Sequence, residues 1–220
     1  MKTQSKSAVL FGATGLIGRF VLVELLKDKR YHKVVILSRR PLDITHEKLE
    51  QQIVDFDNLL SFKSQVEADH LYCCLGTTIS KAGSKAEFIK IDHDIPLRIA
   101  KFANENGVRY FALVSSVGAN VSSANFYSNT KGMLEENIRE QFQQKIGIFR
   151  PSLLLGEREE ARTAERIGQR VLPLLNPLLL GRLKKFKAIK AETVAKAMVN
   201  IAFTDTELTV FESDQIEIIA

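Results

Sequence analysis

The chain has no tryptophan, only two cysteines and five prolines in 220 residues, and no apolar run long enough to cross a bilayer. Each shortage excludes something. Cys73 and Cys74 are adjacent. On a strand, neighbours point to opposite faces and pair badly, so no disulfide framework is implied. With no charged residue beside them in sequence, they read as small buried hydrophobes rather than redox centres. The four histidines, His32, His46, His70 and His93, show no metal-ligand spacing, and no metal is expected. His93, flanked by Asp92 and Asp94, reads as a solvated or locally paired side chain. The most apolar stretch, Val171 to Leu180, is short and broken by Pro173 and Pro177, which argues against stable membrane insertion. Packing within the protein is its default role, with a greasy substrate pocket second. Met1 to Ser7 is polar and leads directly into a strand, leaving no room for a secretory signal; a reducing cytoplasm is the expected compartment.

What is present is ordinary for a folded domain: 45% hydrophobic and 26% charged residues. A net charge of +5 suits a phosphorylated cofactor, nucleic acid or acidic lipid alike. The basic residues are spread along the chain with no zinc-finger spacing, so no nucleic-acid partner is expected. Apolar runs alternate with helical periodicity, the signature of a parallel sheet covered on both faces. Strands are expected at Ala8 to Phe11, Lys33 to Leu37, Gln52 to Asp55, His70 to Leu75, Tyr110 to Ser115 and Gly147 to Arg150. Helices are expected at Leu16 to Lys27, from near Ser84 to Asn106 with Gly107 as its stop, and at Asn125 to Gln144. After Pro151 the pattern changes. Residues 151–190 read as a small lobe over the active-site edge, followed by a helix from near Ala191 to Phe203. The whole chain, 1–220, is then one α/β domain.

Gly12, Gly15 and Gly18 fall after a predicted strand and at the opening of a predicted helix, with Thr14, Leu16 and Ile17 between them. In that order the glycines give a tight turn, close approach of backbone to a pyrophosphate, and close helix–strand packing. The helix N-terminus offers N–H groups and partial positive charge to the phosphates. This predicts a doubly wound Rossmann domain binding a dinucleotide. The second strand ends Leu37-Ser38-Arg39-Arg40, with no acid until Asp43. An acid there would meet a free ribose 2′-hydroxyl. A guanidinium suits a 2′-phosphate instead, which favours NADP(H) over NAD(H), with Arg39 as the contact and Arg40 facing solvent. Asp55, at the end of the third strand, is a candidate flank for the adenine, with an ordinary strand cap as the alternative.

Tyr127 and Lys131 stand four residues apart on one predicted helix, hence on one face. A nearby ammonium lowers a phenol's pKa from about 10, making Tyr127 a usable proton donor or acceptor for a carbonyl/alcohol pair. Ser115 and Ser116 end the fifth strand; Ser116, the first residue beyond the apolar run, is the candidate to polarise the substrate oxygen.

Together Gly12, Gly15, Gly18, Ser116, Tyr127 and Lys131 resemble the short-chain dehydrogenase/reductase superfamily. Leu37-Ser-Arg-Arg-Pro41, Cys73-Cys-Leu-Gly-Thr-Thr78, Ser115-Ser-Val-Gly-Ala119 and Arg150-Pro-Ser-Leu-Leu-Leu-Gly156 resemble its atypical branch, which holds the mammalian Tat-interactive protein and its bacterial relatives. The resemblance implies a Rossmann fold binding NADP(H), with Tyr127 as acid/base, Lys131 holding the nicotinamide ribose and Ser116 orienting the carbonyl. It further implies that Leu75, Gly76 and Thr77 line the cofactor. Pro151 and Leu153 would pass the nicotinamide, with Ser152 where glycine is often found. The activity expected is an NADPH-dependent oxidoreductase acting on a small carbonyl or alcohol. The alternative is an NADP(H)-binding sensor or interaction protein without turnover.

Overall fold

The first half of the chain lays down strands that all run the same way. The structure, a computed structural model, describes residues 5–155 and 181–220. Six strands come first: β1 (Lys6–Phe11), β2 (Tyr31–Ser38), β3 (Leu49–Ile53), β4 (His70–Cys73), β5 (Tyr110–Val114) and β6 (Lys145–Arg150). Two short ones, β7 (Leu154–Leu155) and β8 (Ile189–Lys190), pair with each other, and β9 (Val210–Glu212) joins the edge of the main sheet. The main sheet has the order β3-β2-β1-β4-β5-β6-β9, and every pairing in it is parallel. The order reverses between β1 and β4. That is the switch point at which a doubly wound sheet opens a crevice beyond its carboxyl edge.

The helices are α1 (Leu16–Lys27), α2 (Ile79–Ala82), α3 (Lys85–Ile89), α4 (Ile95–Glu105), α5 (Phe126–Gln141), α6 (Ala191–Ile201) and α7 (Ser213–Ile219). They cover both faces. Successive residues of a strand point to opposite sides, and β1 shows it. Ala8 and Leu10 join one apolar layer with Val21 and Leu25 of α1 and Val194 and Met198 of α6. Val9 and Phe11 join the other layer, with Ile95, Ile99 and Ala103 of α4 and Leu134 and Ile138 of α5. Both layers are buried, and this accounts for the strands' continuous apolar character.

The helix expected over residues 84 to 106 is present with an interruption. Ser84 caps its start, its hydroxyl accepting from the Glu87 N–H at 3.1 Å. Gly107 closes it in the left-handed conformation (φ +75°). Between α3 and α4, Lys90–Asp94 form a π turn, a widening that apolar periodicity does not register. The third strand begins earlier than its apolar content suggests, at Leu49 rather than Gln52. It is an edge strand, and polar Glu50 and Gln51 sit there without cost; the Gln51 amide binds the Leu42 and Ile44 carbonyls at 3.0 and 2.9 Å. The lobe expected over 151–190 falls largely on 156–180, outside the described residues. The small pair of β7 and β8 flanks that stretch and was not anticipated. After α6 the chain adds β9 and then a further helix, α7.

At the amino end of the sheet, the Tyr31 hydroxyl lies 2.6 Å from both His70 Nδ1 and the Tyr72 hydroxyl. Burial pushes the His70 imidazole down to about 4, with nearby Asp69 opposing the shift only in part. The unfolded chain therefore takes up a proton near pH 6.5 that the folded chain refuses until about pH 4. Stability is fully present above that window and falls as pH drops through it, by about 3 kcal/mol at most. Thermal melts from neutral pH to pH 4 should show this fall, and His70→Gln should flatten it. An equal slope in the variant would show that another group is responsible.

Candidate active site

The local chemistry of the β1–α1 turn sets the site. Gly12 has φ +81°, and a Cβ built there would meet the Cys74 carbonyl oxygen at 2.6 Å. A Cβ on Gly18 would fall 2.0 Å from the Gly12 carbonyl oxygen. Only glycine permits either approach. The turn is closed by the Gly15 N–H donating to the Gly12 carbonyl at 2.9 Å. Gly15 then caps α1 with no side-chain hydrogen bond, so the first-turn N–H groups are left for something else.

They face a cleft of about 590 Å³ whose walls come from the carboxyl ends of four neighbouring strands. Thr14, Gly15, Leu16 and Ile17 follow β1; Leu75, Gly76 and Thr77 follow β4; Ser115 and Ser116 follow β5; Pro151, Ser152 and Leu153 follow β6. Tyr127 and Lys131 project into the same cleft from α5. Most of the residues singled out from sequence are thus brought together. Gly12 and Gly18 lie behind the wall and shape it. Arg39 and Asp55 are exposed and outside the lining residues. Asp55 is occupied in a turn: its carboxylate accepts from the Asp57 N–H at 2.9 Å and its carbonyl from the Asn58 N–H at 3.1 Å.

The two serines that follow β5 divide their roles. The Ser115 hydroxyl is buried and donates to Glu135 Oε1 at 2.5 Å. Ser116 makes only a long contact of 3.4 Å to the Val117 carbonyl, which leaves its hydroxyl available to the cleft. The Tyr127 ring rests on Phe88, with centroids 5.5 Å apart. Asn125 starts α5 by accepting the Ser128 N–H at 3.1 Å, which fixes the phase that presents Tyr127 and Lys131 on one face.

Asp92 is one residue that sequence reasoning missed. It sits on the π turn, wholly buried, with Oδ1 2.7 Å from Lys131 Nζ and Oδ2 accepting the Thr77 N–H at 2.7 Å. Burial alone would push the Lys131 ammonium down, but Asp92, and Tyr127 after it, outweigh burial and hold it above the ordinary lysine range. The cation expected to tune Tyr127 and hold the nicotinamide ribose is thus also paired with a carboxylate. A signal did exist, since Asp92 falls in phase with buried Phe88, Ile95 and Ile99. An acid on the apolar face of a helix needs a partner. Its neighbour His93 is locally paired, with Nδ1 2.8 Å from Asp94 Oδ1 and Nε2 3.0 Å from Asn137 Nδ2. Burial pushes the Cys73 thiol up to about 12, so it is no nucleophile at neutral pH.

A glycine turn under an uncapped helix, at the switch point of a parallel sheet, defines a dinucleotide-binding protein. The NAD dependent epimerase/dehydratase family model matches residues 8–199, and the chain belongs to that family. It is 33% identical to Protein HTATIP2 of Rattus norvegicus over 203 residues, 90% of this chain and 82% of the relative. It is 34% identical to the mitochondrial protein FMP52 of Debaryomyces hansenii over 202 residues, 89% and 87% of the two chains. Among solved structures it superposes on MoeE5 bound to UDP-glucuronic acid and NAD with TM-score 0.70 at 18% identity, covering 94% of this chain and 76% of that one. The ADP-L-glycero-D-manno-heptose-6-epimerase of Helicobacter pylori gives TM-score 0.70 at 16% identity, covering 98% and 81%. These two likenesses bear on the fold. The fungal relatives correct one expectation. Those from Debaryomyces hansenii and Emericella nidulans are named mitochondrial, so a cytoplasmic assignment does not stand. Among the described residues, no helix is long and apolar enough to cross a membrane.

Asp92→Asn keeps an acceptor for the Thr77 N–H but leaves Lys131 buried without a counter-charge. Breaking such a pair costs about 3–5 kcal/mol, so the melting temperature should fall by roughly 6–20 °C in a chain of this size. A fall below about 2 °C would mean the pair is solvated.

Proposed function

We propose that the chain is an NADP(H)-dependent oxidoreductase that interconverts a small carbonyl compound and its alcohol. The observation that carries this reading is the convergence of Ser116, Tyr127 and Lys131 on the cleft that the glycine turn opens. The residues present fit a dinucleotide. Gly12 and Gly18 admit no side chain, and the amino end of α1 offers uncapped N–H groups to two phosphates. When bound, the nicotinamide supplies or accepts a hydride.

The chain's own residues do the rest. The Ser116 hydroxyl donates a hydrogen bond to the substrate oxygen and orients the carbonyl. The Tyr127 phenol gives its proton to that oxygen as the alcohol forms, or takes it back in oxidation. Lys131, held by Asp92, binds the ribose hydroxyls at the nicotinamide end. Leu75, Gly76 and Thr77 bound the middle of the cleft, and Pro151 and Leu153 bound its reactive end. Arg39 stands exposed at the close of β2, where a flexible guanidinium can meet a 2′-phosphate without first breaking a pairing. A second reading, an NADP(H)-binding protein without turnover, draws on the Lys131–Asp92 pair, since a compensated cation acts less strongly on Tyr127.

Titration of the protein with NADPH and NADH, followed by a carbonyl screen, tests both. NADPH should bind more tightly, and Arg39→Ala should weaken it by about tenfold or more while leaving NADH nearly unchanged. Equal losses would place the 2′-phosphate elsewhere. Tyr127→Phe should lower kcat by about 10²–10⁴. Binding of NADPH with no Tyr127-dependent turnover in a broad screen would favour the second reading, and failure to bind either nucleotide would overturn both.

A further inference from the structure

Two loops form the reactive end of the cleft, and the residue just before each is anchored to one buried carboxylate. Glu135 of α5 is 1% exposed. Its Oε1 accepts the Ser115 hydroxyl at 2.5 Å and the Arg150 Nε–H at 2.9 Å; its Oε2 accepts Arg150 Nη2 at 2.6 Å. Arg139, a turn further along α5, lies 3.8 Å from Oε2. Ser115 immediately precedes Ser116, and Arg150 immediately precedes Pro151.

The two loops also touch through backbone. The Ser115 N–H donates to the Phe149 carbonyl at 2.7 Å and the Val117 N–H to the Pro151 carbonyl at 3.0 Å. The free arm of Arg150 continues to Glu212 Oε1 at 3.2 Å, at the cap of α7. One residue further on, the Ser213 hydroxyl accepts the Ser152 N–H at 2.8 Å. A planar guanidinium gripped at two points has its orientation fixed as well as its distance. Apolar residues of similar volume would often stabilise such a site as well as a buried ion pair does. What the pair adds is a defined geometry, and it adds it at the positions next to Ser116 and Pro151.

We propose that Glu135 is a positioning residue: through Ser115 and Arg150 it fixes the spacing of Ser116 and Pro151, and so sets how the nicotinamide end of the cleft is held. This rests on the functional reading above, but concerns residues that touch neither cofactor nor substrate in that reading.

The test compares NADPH with 2′,5′-ADP, which carries the adenosine half and lacks the nicotinamide. The readouts are affinity for each and the emission of bound NADPH, which reports the nicotinamide's surroundings. Glu135→Gln keeps the shape and one acceptor, and Arg150 retains Glu212. This variant should bind 2′,5′-ADP within about twofold of wild type yet lose roughly tenfold in NADPH affinity, with altered emission, because a small misplacement falls on the reactive end alone. Arg150→Lys should behave likewise, since an ammonium cannot replace the fork. Ser115→Ala, which removes one arm only, should shift emission in the same direction and serves if Glu135→Gln does not fold. Lower melting temperatures with unchanged emission and an unchanged ratio of the two affinities would overturn the proposal and leave Glu135 a purely structural residue. Failure of the wild-type protein to bind NADPH would overturn the functional reading itself, and this inference with it.

Discussion

Everything in the site depends on how closely α1 approaches the end of β1. The approach is set by two missing side chains: Gly12 lies against the Cys74 carbonyl, and Gly18 lies against Gly12 itself. Because nothing separates these backbones, the amino end of α1 sits directly over the sheet's switch point, its N–H groups uncapped. A methyl group at Gly18 would need space already filled by backbone, so the helix would have to lift from the strand and take its N–H groups out of aim. The apolar layers of α1 and α6 hold the helix down, and the glycines let it come down far enough.

The opposite wall is governed by a stripe along α5. Tyr127, Lys131 and Glu135 recur at one-turn intervals, so a phenol, an ammonium and a carboxylate share one helical face. Each charge finds its counter-charge on a different element: Asp92 on the π turn and Arg150 at the end of β6. The helix is therefore tied electrostatically to both sides of the cleft. Low dielectric strengthens these ties and makes each of them expensive to leave unmade.

The parts of this arrangement legible from sequence were the local ones. A glycine turn between a strand and a helix, and a Tyr and Lys one turn apart, are short-range patterns. Serines ending an apolar run belong to the same kind, though only the structure separates Ser115, committed to Glu135, from Ser116. The pairings of Asp92 and Glu135 were not legible because their partners lie far away in the chain and meet only when strands and helices stack. The third strand was misplaced because an edge strand tolerates polar residues that an interior strand cannot. Asp55, read as a flank for the adenine or an ordinary strand cap, has one carboxylate oxygen engaged by the turn it opens. Compartment was misread for a different reason. Few cysteines and a polar start describe what the chain can tolerate, and the address is not written in either.

The short pairing of β7 with β8 has a consequence for how such a chain can diversify. Adjacent parallel strands sit about 4.8 Å apart, so Leu154 and Ile189, distant in sequence, are held as neighbours. Insertions and deletions between them need not move either end. Closing a longer excursion costs slowly, about 0.6 kcal/mol for each doubling of length. The sheet, the glycine turn and the α5 stripe can then stay constant while the length of chain joining the two strands changes.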